Sequence, residues 1–214
     1  MAWTILTERE WRSRAEDALR RTAEPLRSLA ADYDVVAPSM DATFALHDGP
    51  LTVDGDAVLP ARNVLVLGSL EVSGRVTTEG ADGADGNAAL VVIGDLACRT
   101  LVNDWASIVV VSGELTVVEW AFAAREDSAI LVGGTFRTPL FIGADIWIEV
   151  GAGAEIEAGI GYALDMARAP SDRPVPIEPK SDATALLGLP PDLHEAMNLL
   201  EDRLYSTGTI VPAR

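Results

Sequence analysis

Few of the 214 side chains are of types that do covalent or metal chemistry: two histidines, His47 and His194, and a single cysteine, Cys98. No Ser-His-acid arrangement, phosphate-binding loop or His-Glu-x-x-His pair is present, so nucleophilic, phosphoryl-transfer and zinc-hydrolase chemistry have no signature. One cysteine excludes an internal disulfide and a Cys-rich zinc site. Asp82 and Asp85 lie in the Gly/Asp-rich stretch 78–87, but a calcium loop needs donors at alternate positions and a closing Glu, and these two are three apart. That stretch reads as a solvated loop, and no metal or cofactor is expected. Carboxylates are the chemistry that remains. Glu79, Asp82, Asp85, Asp104, Glu126, Asp127 and Asp145 fall in connections between apolar segments, with Trp105 among them and Arg125 as the accompanying cation. Such a row can steer a basic partner, and the aromatic can anchor it.

The overall balance agrees, with 33 acids against 16 Lys and Arg and a formal charge of −17. The first 31 residues hold six arginines and five acids, so the rest of the chain carries −18. This sign disfavours nucleic acid and anionic membrane as partners and favours a basic protein. With 49% hydrophobic residues the chain has material for a core and is no disordered acidic tail. No apolar run approaches a membrane span and no basic-then-apolar leader opens the sequence, so a cytoplasmic protein is expected, as a monomer or small homo-oligomer.

The elements that must position these carboxylates come from a repeat. Gly49-Pro50-Leu51, Gly68-Ser69-Leu70, Gly94-Asp95-Leu96, Gly113-Glu114-Leu115 and Gly134-Thr135-Phe136 recur at intervals of 19, 26, 19 and 21 residues, with Gly153 following less perfectly. Around each glycine apolar residues alternate with period two, as in Val64, Val66, Leu70 and Val72, so one set of side chains shares an interior. A further apolar position, seven residues past the glycine, is expected to point inward at Leu101, Trp120, Phe141 and Ile160. The run from Ile146 to Ile160 is expected to alternate without a break.

A unit of about 20 residues cannot bury its own interior, so the units must stack. The expected fold is mainly β, a parallel β-solenoid of about six coils. A sandwich of antiparallel strands would need hairpin turns that the sequence lacks. Thr7-Glu8-Arg9-Glu10 is a capping box opening a helix with Trp11, Ala15, Leu19, Leu26 and Leu29 on one stripe and Pro25 as a kink. Pro190-Pro191-Asp192 opens a second, with Leu193, Met197, Leu200 and Leu204 on its stripe and Gly208 beyond its end. These two helices are expected to cap the open edges of the coil. The division is a helical cap over 1–38, a solenoid over 39–162, and a Pro-rich connection with a capping helix over 163–214.

The phrases Val64-Leu65-Val66-Leu67-Gly68-Ser69-Leu70-Glu71-Val72-Ser73-Gly74 and Leu90-Val91-Val92-Ile93-Gly94-Asp95-Leu96 resemble the core repeat of bactofilin-like cytoskeletal proteins. They resemble still more closely a group of bacterial solenoids with Val-Val-x-Gly-Asp-Leu repeats, a resemblance that extends to polymorphic-toxin immunity proteins. It covers roughly residues 44–160 and rests on core residues and turn glycines, so it implies a fold and, by analogy only, a function. Helical segments at both ends depart from the flexible tails of bactofilins and argue against end-to-end polymerisation. Acyltransferases of the hexapeptide type would need a strict six-residue period and a catalytic His; pectate-lyase-type enzymes would need converging carboxylates and bases and a secretory leader. The expectation is a non-catalytic module whose acidic edge occupies a basic protein, such as an immunity protein against a cationic toxin, with a self-assembling scaffold as the alternative.

Overall fold

The computed structural model describes residues 2–22, 43–78, 88–104, 106–160 and 179–212, excepting the side chains at 104, 124–127 and 144–145. Two short opening elements, β1 (Thr4–Ile5) and α1 (Glu8–Leu19), precede β2 (Phe44–Asp48), β3 (Leu51–Val53), β4 (Asn63–Leu67) and β5 (Leu70–Thr77). Then come β6 (Ala89–Val92), β7 (Leu96–Asp104), β8 (Ile108–Val111), β9 (Leu115–Val132), β10 (Thr135–Val150) and β11 (Gly153–Ile160). The chain closes with β12 (Ser181–Asp182), α2 (Thr184–Leu187) and α3 (Leu193–Thr207).

The strands form a parallel β-solenoid. Phe44, Asn63, Ala89, Ile108, Ala129 and Trp147 stand over one another in parallel register, six rungs joined by five turns. The long strands bend, so each rung crosses three sheets. The first holds β2, β4, β6, β8 and the ends of β9 and β10. The second begins at β3 and the starts of β5, β7, β9, β10 and β11, and the third follows the register shifts near Val72, Cys98 and Arg137. Stacked columns fill the interior, among them Val64-Leu90-Val109-Ile130-Ile148 and Leu70-Leu96-Leu115-Phe136, all but removed from solvent. Parallel sheets are stable in this setting because both faces can be covered.

The recurring glycine is required by the stacking itself. At the corner between the first and second sheets one rung lies on the next so closely that a Cβ on Gly68 would fall 2.5 Å from the carbonyl carbon of Gly49. In the last rung this corner position belongs to Ala152, whose amide bonds Gly134 O at 3.0 Å, whereas Gly153 pairs with Thr135, one residue later than its spacing suggests.

Two further expectations are corrected. Leu101 stacks on Ala121, then Phe141 and Gly159, while Trp120 pairs with Thr100 and points outward, as does Ile160. For Trp120 the reason is one extra residue in β5 and β9 at the corner between the second and third sheets, which changes the distance from glycine to interior from seven to eight; for Ile160 it is Gly153, which stands one residue past the corner position held by Ala152. The alternation that ends at Ile160 also breaks. Ile146, Ile148, Val150 and Ile156 face the interior, but past the corner at Glu157 the phase inverts and Ala158 and Ile160 face out.

The terminal segments cap the coil with a division of labour. Strands take exposed backbone edges: β1 pairs antiparallel with β2, and β12 pairs in parallel with the third-sheet part of β11. Trp3 packs against the interior cluster at the first rung and meets the His47 ring edge-on, centroids 5.4 Å apart. Helices cover side chains that point out of the sheets. The capping box of α1 forms, with Thr7 N donating to Glu10 Oε2 at 2.9 Å, and Trp11, Ala15 and Leu19 lie over Phe44, Leu46 and Leu65. The stripe beyond Thr22, with Pro25, Leu26 and Leu29, lies outside the described residues. At the other end Asp192 caps α3 and Gly208 ends it at φ +73°, while Met197, Leu200 and Leu204 cover Val102, Phe122, Leu140 and Ile142. Arg75 donates to Gly208 O, the C-cap carbonyl, and stacks over Trp120 at 5.4 Å.

Candidate functional site

With apolar rows on the outer faces of the first and third sheets covered by helices, the second sheet presents the open flank among the described residues. Its outward row runs Thr52, Glu71, Ala97, Thr116, Arg137 and Glu155 in continuous register, and none of these is buried. Charges cross from rung to rung. Arg137 bridges Glu114 at 2.6 Å and Glu155 at 3.2 Å, Arg99 holds Glu119 at 2.8 Å, and Lys180 holds Glu157 at 2.5 Å. The hydrogen bonds they donate to Glu114, Glu119 and Glu157 push the protonation equilibria of Arg137, Arg99 and Lys180 upward, so these cations stay charged and engaged. Asp54, Asp56, Glu71 and Asp95 complete the flank and its two bordering corners. With the Arg75 side chain turned away to Gly208 and Trp120 over the third sheet, these eight carboxylates against Arg99, Arg137 and Lys180 leave a net −5. Three of these carboxylates also hold the corners: Asp54 accepts from Ser73 Oγ at 2.9 Å, Asp56 from Arg75 N at 2.7 Å, and Asp95 from Glu114 N at 2.8 Å.

Of the carboxylates expected to form a row, Asp104, Glu126, Asp127 and Asp145 have their backbone at the neighbouring corner, where the third sheet leads into the next rung. Backbone register stacks Asp104 on Ala124 and Ala124 on Ala144, so the ends of these connections do form one edge. Glu126 and Asp127 lie on β9 and Asp145 on β10 as these strands round that corner. The side chains of Asp104, Glu126, Asp127 and Asp145 lie outside the described residues, as do Glu79, Asp82, Asp85 and Trp105 entirely. The inner wall of the corner is tied by buried polar groups: Thr78 Oγ1 donates to Asn103 Oδ1 at 3.2 Å, Asn103 Nδ2 to Ala129 O at 3.0 Å, and Ala88 N to Ser107 Oγ at 3.3 Å. Ala106 stands there at φ +52°, a left-handed conformation costing an L-residue about 1 kcal/mol.

The acids of the second-sheet flank are not in the expected row, yet their signal is in the sequence. Glu71 lies between inward Leu70 and Val72, Arg137 between Phe136 and Thr138, and Glu155 and Glu157 either side of Ile156. Outward positions of one sheet could have been collected from that alternation once the rungs were aligned.

Other groups are engaged or shielded. His47 Nδ1 lies 3.1 Å from Ala2 O, and burial pushes the Cys98 thiol up to about 12, so it is a neutral core side chain at any ordinary pH. A cavity of about 520 Å³ opens between the last rung and α3, lined by Gly159, Lys180, Asp182 and Pro191 among others. Its ionised groups are taken: Lys180 by Glu157, and Asp182 by Thr184, whose hydrogen bonds hold that carboxyl below its usual range. Among the described residues no group of three His, Cys, Asp or Glu is placed to hold a metal, and no helix is long and apolar enough to cross a membrane. Compared with protein-family models, curated proteins and solved structures, the chain matches none.

Proposed function

We propose that this chain is a non-catalytic acidic protein-binding module, an immunity protein that neutralises a cationic toxin in the cytoplasm by occluding it. The observation that carries the reading is the open second-sheet flank, bordered by carboxylates and left at net −5 after its cations are paired. Six rungs at strand spacing make it roughly 24 Å long, the span of a standard protein interface. Carboxylates fixed by corner hydrogen bonds and ion pairs form a preorganised field that accelerates encounter with a basic surface more than it deepens the final affinity.

The test is co-purification with the product of the adjacent gene, followed by two sets of amide substitutions. Glu71→Gln, Glu155→Gln and Glu157→Gln remove three of the flank's negative charges; Asp104→Asn, Glu126→Gln, Asp127→Asn and Asp145→Asn remove four at the neighbouring corner. At least a tenfold slower association with loss of salt dependence is expected from one set or both. Binding that survives both sets unchanged removes the reading.

A bactofilin-like scaffold is the second reading. It is favoured by β3 in the first rung and residues 153–155 in the last, whose outer edges meet no further strand among the described residues. Against it, the apolar side chains of the end rungs, Leu51 and Ala45 at one end and Ile148 and Ile156 at the other, are already buried within one chain. Filaments in electron micrographs of the purified protein would favour the scaffold; a monomer by light scattering at high concentration would remove it.

A further inference from the structure

Where the second sheet turns into the third, the first rung places Asp54-Gly55 against Ser73-Gly74 of the second rung, with Gly74 N donating to Gly55 O at 2.9 Å. An Asp-Gly bond is open to ring closure, because glycine adds no Cβ to hinder attack of its own amide nitrogen on the aspartyl carboxyl. Beyond Gly55 the corner is fixed: Arg75 N donates to Asp56 Oδ1 at 2.7 Å and Ala57 N to Arg75 O at 2.8 Å. The Gly55 amide is held differently. It donates to a side chain, Ser73 Oγ, at 2.8 Å, and the same hydroxyl donates to Asp54 Oδ1 at 2.9 Å. One oxygen therefore touches both the nitrogen that attacks in ring closure and the carboxyl that is attacked. Asp54 and Gly55 are exposed, and the space beside the Gly55 Cα is open to 4 Å. Asp48-Gly49 of the same rung provides a contrast. It has the same two residues and an equally left-handed glycine, φ +97° against +84° at Gly55, but Gly49 N donates at 3.2 Å to Leu67 O, a carbonyl with no proton to pass on.

We propose that Asp54-Gly55 is a self-modification site, at which the Ser73 hydroxyl shuttles a proton to close an aspartyl succinimide that water reopens to isoaspartate. With Asp54 in its acid form, Gly55 N bonds to Asp54 Cγ and the Cγ–Oδ1 bond breaks. The amide proton passes to Ser73 Oγ as the Ser73 proton passes to Oδ1, so that oxygen departs as water. Water then adds to one of the two ring carbonyls. Addition at Cγ restores Asp54; addition at the backbone carbon leaves isoaspartate, whose main chain runs through the former side chain and is longer by one carbon. Nothing is oxidised or reduced, and water is the one co-reactant. The residue keeps its negative charge, so the modification changes the shape of this corner and not the field of the flank. It stands or falls independently of any partner.

The test incubates the full chain in warm, mildly acidic buffer made with heavy-oxygen water, followed by peptide mapping with fragmentation that separates aspartate from isoaspartate. Each closure and reopening leaves a label on the residue concerned. In wild type, label and isoaspartate should accumulate at Asp54 about tenfold or more faster than at Asp48. Ser73→Ala should slow the reaction at Asp54 about tenfold or more, whereas Ser73→Thr, which keeps a hydroxyl, should stay within about threefold of wild type. Protection of Cys98 from alkylation reports that the coil stays folded in each variant; for a variant that does not fold, the wild-type contrast between Asp54 and Asp48 decides alone. Equal rates at these two positions in wild type overturn the proposal. So do equal rates at Asp54 in Ser73→Ala and Ser73→Thr, or a faster rate in Ser73→Ala, which would make the hydroxyl a clamp that protects the bond.

Discussion

On the third-sheet flank Val102, Trp120, Phe122, Leu140 and Ile142 meet seven buried side chains of the C-terminal segment, from Ala183 to Ile210. On the first-sheet flank Phe44, Leu46 and Leu65 meet three from α1. The sheets are alike; the covers are not. The C-terminal cover is fastened to the solenoid by Arg75, which donates to Gly208 O, and is braced within itself by Arg203, which donates to Leu187 O at 3.2 Å and Ile210 O at 2.9 Å. A cation at a helix C-terminus also meets the negative end of the dipole. The N-terminal cover gains roughly 1.5–3 kcal/mol for each of its two large side chains. It strands two polar atoms, Trp11 Nε1 and Asn63 Oδ1, at about 1–3 kcal/mol each, which takes back part of that gain. The two described covers therefore differ both in the number of side chains they bury and in polar satisfaction.

The largest expected effect is on Cys98, which distinguishes opening of a cover from opening of the coil. With its thiol raised from 9.0 to about 12, its thiolate fraction at pH 8 is about a thousandfold below that of the unfolded chain. Alkylation should be slow to that degree in the native protein and remain so in Trp11→Ala. The unfolded state loses this proton above pH 9 and the folded state does not until about 12, so stability should fall as pH rises through that window. Fast native alkylation would mean that the coil, and not its cover, opens.

Next in size is Leu200→Ala in α3, fully buried against the third sheet, which should cost about 2–5 kcal/mol in denaturant unfolding, in one cooperative transition with the solenoid. A separate early transition would make the two covers alike and break the contrast. Arg75→Ala should cost about 1–3 kcal/mol through loss of the Gly208 bond and the Trp120 contact, and Arg75→Lys should recover only part of it, because an ammonium cannot stack as a planar guanidinium does. The smallest effect concerns acid. Hydrogen bonds from Thr7 hold the Glu10 carboxyl below its ordinary 4.5, so its support of α1 is present above that pH and is lost as pH falls through the folded value. Amide exchange in α1 should quicken there before exchange in α3 changes.

Much of the fold could be read before any coordinates. Period-two alternation around Leu70, Leu96, Leu115 and Phe136 identified the interior, Cys98 included, and the capping residues Thr7, Asp192 and Gly208 marked helix ends where they occur. Trp120 and Ile160 were not legible, since a single residue added at one corner of β9, or a corner glycine standing one residue late as Gly153 does, turns a side chain from inside to outside without altering the local pattern. The alternation marks the acids of the open flank as outward, but Glu114 and Glu155 are far apart in the chain and come to share Arg137 only through register.

Composition, charge and periodicity, which act residue by residue, determined that this chain coils into stacked parallel strands with an apolar inside and an acidic outside. Which flank stays open, which helix is fastened and which polar atoms are stranded were decided only in three dimensions. Those properties depend on which rungs and covers meet, and contact between distant segments has no period for a sequence to display.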